Sequence, residues 1–185
     1  MPEHNIIRER FLRRQYREGM AFAKESDILA LRLASPQDEA PWRYVAGFRC
    51  RGLVQFTPRD VEVTDYFEVG IRYPHNCMNR MDSLSCLAFL GPPGAFSPHI
   101  RAPFVCIGRL RGGTPLVEIC LRLFEVITWQ RFSLLETRSL SREACRWGRA
   151  HLAELPVDAR PLRRRDFSLE VEEVEDVDAM EGGAA

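Results

Sequence analysis

Four short apolar segments, separated only by brief turns, restrict the possible folds of this chain more than any other feature. In the second segment Tyr44, Ala46, Phe48 and Cys50 fall on one side, which is typical of a half-buried strand, and Gly52 is predicted to end it. No helical pattern lies between the segments, so the sequence predicts an antiparallel meander. The predicted strands cover residues 28–33, 42–51, 65–73 and 84–90, with turns or loops at 35–38, 57–60 and 91–94.

Helical spacing occurs on both sides of the meander. A second helix is predicted to begin at Thr114-Pro115, with Thr114 as its cap, and a third to follow the cap Ser141. Cys120 and Cys145 lie on these two helices and are predicted to be core residues. The first helix is predicted at 6–24, with an apolar stripe of Ile7, Phe11, Leu12, Tyr16, Met20 and Phe22. The apolar face of the second helix consists of Leu116, Ile119, Cys120, Leu123, Phe124 and Ile127.

Between the meander and the second helix, the proline-punctuated segment 97–108 presents Cys106 between two aliphatic residues. Free cysteines are usually buried as small hydrophobic residues, whereas irregular surface segments often carry function. Arg101, Arg109 and Arg111 are close in sequence, and cationic side chains beside a partly exposed thiol favour the thiolate. Two interpretations are therefore open: Cys106 is a reactive thiol, or it is buried and inert.

The composition restricts the class of protein. The formal net charge is zero over 185 residues, which gives no indication of nucleic-acid binding. Six scattered cysteines without a C-x-x-C pair, no apolar leader and no transmembrane-length run predict a soluble cytoplasmic protein with free thiols and no membrane contact. The predicted domain spans 1–165, and the acidic remainder, 166–185, is predicted to be a disordered tail.

The first predicted helix carries a concentration of arginines. They fill the face opposite the apolar stripe, where they are either simply solvated or form a surface that docks an acidic partner. The members of this cluster are Arg8, Arg10, Arg13, Arg14 and Arg17.

The predicted α+β order is an N-terminal helix, a four-stranded antiparallel meander sheet, a cysteine loop and two C-terminal helices. This order resembles the ubiquitin-conjugating enzyme fold, and local motifs agree with it over residues 6–162. The segment 96–100 stands where that family has His-Pro-Asn-Ile, and Cys106 stands where it has the catalytic cysteine. Thr114-Pro115 and the run 140–144 resemble the starts of the family's next two helices. The short cysteine loop is most similar to the bacterial branch found in ubiquitin-like conjugation operons.

Several positions depart from the family pattern. His99 replaces the family asparagine, which orders the loop and stabilises the oxyanion, and Ser97 replaces the family histidine. Gly112-Gly113 stands in place of a tryptophan, and the proline-rich strand exit is largely lost at 75–78. These differences affect which ligases could dock and how the acyl-transfer step is assisted. The cysteine nucleophile itself is retained.

The resemblance implies an activity and its partners. Cys106 would accept the C-terminal acyl group of a ubiquitin-like protein from an activating enzyme and pass it to a nucleophile on a target protein. His99 would donate a hydrogen bond to the oxyanion, act as a weak base, or only hold the loop in shape. The arginines of the first helix match the face with which family members meet the activating enzyme. No cofactor is implied.

Three alternatives differ from this interpretation. A catalytically inactive scaffold of the same fold would bind a ubiquitin-like protein without forming an adduct. A cysteine hydrolase would need a Cys106–His99 pair with an orienting carboxylate. A zinc site would use His75, Cys77, Cys86 and His99, although no ligand spacing supports it.

Overall fold

The computed structural model describes residues 2–35, 40–57 and 60–163 of the chain. The predicted tail, 166–185, lies outside the described residues, as does the end of the predicted domain. The helices in the described part are α1 Pro2–Lys24, α2 Ser83–Cys86, α3 Leu116–Ile127 and α4 Arg142–Ala150, with single 3-10 turns at Glu136–Arg138 and Leu152–Glu154. The strands are β1 Leu29–Leu33, β2 Arg43–Phe48, β3 Gly52–Thr57, β4 Asp60–Thr64, β5 Phe67–Arg72, β6 Leu87–Gly91, β7 Ile100–Arg101 and β8 Phe104–Val105.

A four-stranded antiparallel sheet with the order β1-β2-β5-β6 forms the centre of the molecule. Ala46 of β2 pairs with Leu31 of β1 and with Val69 of β5, so side chains of one parity share the face that packs inwards. The α+β class, the N-terminal helix, the four-stranded antiparallel sheet and the C-terminal helices are therefore as predicted. Each predicted strand overlaps one of these four.

The hairpin of β3 and β4 was not predicted. It lies between β2 and β5 along the chain and forms a separate two-stranded sheet. Gly52 was expected to end a strand but instead begins β3. A Cβ atom at Gly52 would lie 2.5 Å from the Phe67 ring and 3.0 Å from the carbonyl oxygen of Ile127. The glycine is required because sheet, hairpin and α3 meet there, so its role is packing rather than strand termination.

The start of the fourth predicted strand is wrong. Residues 84–86 form part of the short helix α2, because the Asp82 carboxylate accepts the N–H of Leu84 at 3.1 Å and caps it. The strand begins only at Leu87. A continuous apolar run does not reveal this cap.

The main core lies between the sheet and the helices α1 and α3. The six residues predicted for the apolar face of α3 are all buried, and Leu12 of α1 is fully buried, while Ile7 is 55% exposed and falls outside the predicted stripe. Buried Gln15 on α1 accepts the N–H of Leu116 at 2.8 Å, which satisfies one free N–H at the start of α3. The predicted cap Thr114 is wrong, since its hydroxyl bonds to the backbone of Arg111 instead.

A smaller core joins the β3–β4 hairpin to the C-terminal helix α4. The cap Ser141 is confirmed, since its hydroxyl accepts the N–H of Ala144 at 3.2 Å. Gly148 allows α4 to approach the fully buried Trp129, where a Cβ atom would lie 2.8 Å from the indole. Cys120 in the main core and Cys145 on α4 are both buried, as predicted.

Three parts of the chain meet at Ser26. Its hydroxyl accepts the N–H groups of Ile28 and Leu29 at the start of β1 and donates to the carbonyl oxygen of Leu162. Arg163 forms an ion pair with Glu25 at 2.9 Å beside it. The C-terminal end of the described chain is thereby fastened to the turn between α1 and β1.

The longest helix of the described residues, α1, covers Pro2–Lys24 and contains many arginines. No helix in this part of the chain is both long enough and apolar enough to cross a bilayer.

Candidate functional site

Cys106 lies directly after a two-strand hairpin within the predicted loop. β7 and β8 pair antiparallel, with Ile100 opposite Val105, and the N–H of Cys106 donates to the carbonyl oxygen of His99 at 2.9 Å. This bond continues the ladder by one step, so Cys106 and His99 lie opposite each other. The structure therefore brings the two predicted catalytic residues together through their backbones.

The residues on either side of Cys106 fix its exposure. Val105 and Ile107 are 0% and 2% exposed, because both side chains enter the main core. Successive side chains of an extended chain point to opposite sides, so Cys106 points away from that core and is only half-buried. Gly108 follows with a φ of 86°, a left-handed conformation that ends the extended segment.

The other five cysteines differ from Cys106, since all of them are buried. Burial raises the pKa of Cys120 to about 12, and burial, with Asp158 nearby, raises the pKa of Cys50 to about 12. Burial also raises the pKa of Cys77, although the Arg8 guanidinium opposes this. Since the thiolate is the nucleophilic form, these thiols are poor candidates for chemistry. Cys106 is the accessible thiol of the six.

Hydrogen bonds to the rest of the fold hold the segment before β7. The Ser97 hydroxyl donates to the carbonyl oxygen of Val126 on α3 at 3.2 Å and accepts the N–H of His99 at 3.3 Å. The carbonyl oxygen of Pro98 accepts the N–H groups of Leu140 and Ser141, just before α4. This loop is thus fixed from two sides, by the two C-terminal helices.

The imidazole of His99 is half-buried and bonded through one nitrogen. Nε2 accepts the N–H of Ser133 at 3.1 Å, whereas Nδ1 is buried without a partner in the described chain. Burial lowers the pKa of His99 below its usual 6.5, and the nearby Arg131 charge lowers it further. No hydrogen bond joins the imidazole to Sγ of Cys106 among the residues described. The described chain therefore contains no committed Cys–His pair of the kind a cysteine hydrolase uses.

Sequence reasoning missed the segment that supplies this bond. Trp129 follows α3 with a φ of 59°, and its indole N–H donates to the carbonyl oxygen of Phe96 at 3.0 Å. The chain then turns so that the N–H of Ser133 meets His99. No sequence pattern predicts a tryptophan in the left-handed conformation, since Gly and Asn are the residues that usually adopt it.

A positively charged cleft of about 760 Å³ lies beside the cysteine segment, between residues 79–82 and 108–112. Arg80, Arg109 and Arg111 line it, together with Asp82, whose carboxylate caps α2. None of the three arginines forms an ion pair within the described part of the chain. Arg101, on β7, is exposed at the other end of the hairpin.

The five arginines predicted as a partner surface occupy one helix but differ in environment. Arg8 is half-buried, with its guanidinium near Cys77, whose carbonyl oxygen accepts the N–H of Gly113. Arg14 forms an ion pair with Glu18 at 2.7 Å. Arg10, Arg13 and Arg17 are exposed. Arg8 thus connects this face of α1 to the loops that line the positively charged cleft.

The residues weighed for zinc do not form a site. Cys77 and Cys86 are buried in the main core, whereas His75 is exposed and His99 is bonded to Ser133. No group of three or more His, Cys, Asp or Glu side chains in residues 2–35, 40–57 and 60–163 is arranged to hold a metal ion.

No protein-family model, curated protein or solved structure matches this chain.

Proposed function

We propose that this protein is a ubiquitin-conjugating-like enzyme that carries a ubiquitin-like protein as a thioester on Cys106. The observation that supports this most is the contrast among its thiols: five are buried, and Cys106 alone is partly exposed. It stands at the end of a hairpin whose neighbouring side chains, Val105 and Ile107, are anchored in the core. A fixed, accessible thiol is what an acyl-carrying cysteine requires.

The proposed reaction has two halves. Sγ of Cys106, as the thiolate after its proton has passed to solvent, attacks the thioester carbonyl carbon that the activating enzyme presents, a C–S bond to Cys106 forms, and the activating enzyme's cysteine leaves as a thiolate. A target amine then attacks the same carbon, an amide bond forms, Cys106 leaves as a thiolate, and the surplus proton of the amine passes to solvent. Both halves pass through a tetrahedral oxyanion, which a positioned hydrogen-bond donor stabilises.

Positively charged side chains near the site support the proposal that the protein's partners are acidic. Arg10 and Arg17 on α1 are exposed, and the cleft arginines Arg80, Arg109 and Arg111 have no ion pairs within the described chain. Uncompensated surface cations attract an acidic partner and speed its association. We assign the α1 face, with Arg8, Arg10, Arg13, Arg14 and Arg17, to the activating enzyme.

A charging assay tests the proposal. The protein is incubated with ATP, an activating enzyme and the ubiquitin-like protein that this enzyme activates, then separated with and without reductant. We expect a reductant-sensitive adduct in the wild type, a reductant-resistant one in Cys106→Ser and none in Cys106→Ala. Cys120→Ala, which changes a thiol buried in the main core, is the matched control and should charge normally.

The other outcomes identify the alternatives. An adduct that persists in Cys106→Ala would refute the assignment of the site. If the activating enzyme forms its own thioester but this protein forms none, a non-catalytic scaffold is the better interpretation. A cleaved ubiquitin-like precursor without an adduct would indicate hydrolase chemistry.

A further inference from the structure

The geometry points to a positioning role for Ser133: its backbone N–H fixes His99 as a neutral imidazole protonated on Nδ1, so that His99 does not act as a base. The role at Cys106 rests on the proposed function, whereas the protonation pattern does not. The argument begins from the 3.1 Å bond between the N–H of Ser133 and Nε2 of His99.

A backbone N–H can only donate, so Nε2 of His99 must accept and cannot carry a proton. In a neutral imidazole the proton then resides on Nδ1. Burial and the Arg131 charge both disfavour the doubly protonated ring, since they lower the pKa of His99. Among the residues described, Arg131, which pairs with Glu125 at 3.7 Å, is the charged side chain that acts on His99.

The position of Ser133 is itself fixed by the surrounding core. Trp129 is fully buried and anchored to Phe96, although its left-handed backbone is unfavourable for a bulky residue. The Cys145 thiol on α4 lies 3.6 Å from the carbonyl oxygen of Ser133 and donates to it. The donor thus belongs to a rigid turn, not to a mobile loop.

The same imidazole is connected to the cysteine through its backbone, since the His99 carbonyl accepts the N–H of Cys106. Holding the ring therefore also holds the backbone at Cys106. The lone pair of Nε2 is occupied, and Nδ1 has no lone pair to offer, so the ring cannot take a proton from the thiol or from water. A thioester on Cys106 is then not exposed to base-assisted hydrolysis by this residue. The ring then retains one further hydrogen-bonding group, the enclosed Nδ1–H.

The experiment is a long-range ¹H–¹⁵N correlation spectrum of the histidine rings in the uncharged protein. We expect the His99 ring to show the neutral Nδ1–H tautomer at pH 7.5 and to be more than half neutral when the pH falls to 6.5. His151 is expected to give the same tautomer, because its Nδ1 contacts the carbonyl oxygen of Trp147 at 2.8 Å. A spectrum of His99→Asn therefore assigns the signal. An Nε2–H tautomer, or a ring half protonated at pH 6.5, would overturn the inference.

Two variants separate the backbone N–H from the side chain. Ser133→Pro removes the donor and should give a mixture of tautomers and slow charging of Cys106 by about tenfold or more. Ser133→Ala keeps the donor and should leave the spectrum unchanged and the charging rate within about twofold. An unchanged spectrum in a folded Ser133→Pro protein would also overturn the inference.

The failures are distinguishable. If Ser133→Pro does not fold, the wild-type spectrum still decides the tautomer. If the wild type shows the expected tautomer but never charges, the proposed function fails and the protonation assignment stands. If the wild type charges but shows the Nε2–H tautomer, the protonation assignment fails and the proposed function stands.

Discussion

Cys106 and Cys120 are near neighbours in sequence but occupy opposite kinds of environment. Cys120 lies on α3 in the main core and is 1% exposed, whereas Cys106 ends a hairpin whose strands have two residues each. The first thiol lies in the main core, which is formed between the sheet and the helices α1 and α3. A few backbone bonds and two flanking aliphatic side chains hold the second. The comparison shows how one chain keeps one cysteine inert and another accessible, through alternation along a short extended segment.

Alkylation should give the largest difference between the two thiols. We expect iodoacetamide to modify Cys106 at least about a hundredfold faster than Cys120, because a buried thiol reacts only after local opening. Peptide mass spectrometry over a time course would measure both rates in the native protein. Comparable rates would mean that the Cys120 region opens readily, or that Cys106 is shielded.

Truncation of apolar side chains should separate the two regions by stability. Leu123, on α3, is fully buried, and Leu123→Ala should lower the free energy of unfolding by about 2–5 kcal/mol. Phe104, on β8, is 51% exposed, and Phe104→Ala should change it by no more than about 0.5 kcal/mol. Urea unfolding of both variants measures this, and a large loss in Phe104→Ala would mean that the hairpin contributes to the core.

The smallest effect on the free energy of unfolding is expected at His99, which links the cysteine hairpin to the segment between α3 and α4. This effect depends on pH. His99 has a lowered pKa in the fold, so the unfolded chain binds more protons than the native state as the pH falls through and below 6.5. Its stabilisation is therefore complete above pH 6.5 and is lost as the pH falls through the folded-state pKa. His99→Gln should remove this contribution, so that unfolding curves of the two proteins differ less at pH 5 than at pH 7.5. A constant difference would mean that the histidine ring does not titrate in this range.

The sequence predicts the region around Cys120 better than the region around Cys106. The apolar face of α3 has a helical period, and Ser141 is a cap that acts on the residues immediately after it, so local patterns suffice. The placement of Cys106 before Thr114-Pro115 indicates a loop, but its partial exposure depends on Val105 and Ile107 reaching the core.

The errors at Gly52 and Thr114, and the missed role of Ser133, originate in contacts between distant residues. Gly52 is required because Phe67 and Ile127 approach it closely. Gln15 accepts the N–H of Leu116, so Thr114 is not needed as a cap. The bond between Ser133 and His99 depends on a left-handed Trp129 that only the surrounding core stabilises. None of these positions has a local pattern that names its partner.

The Ser26 junction has a mechanical consequence. While the Ser26 hydrogen bond and the Arg163–Glu25 pair hold, a pulling force applied beyond Leu162 passes in part to the turn between α1 and β1 and not only along the chain towards α4. The cysteine hairpin has no described hydrogen bond to this junction. A protein tethered to a surface through its C-terminal end should therefore keep the geometry of its thiol under tension, which suits it to single-molecule records of adduct formation.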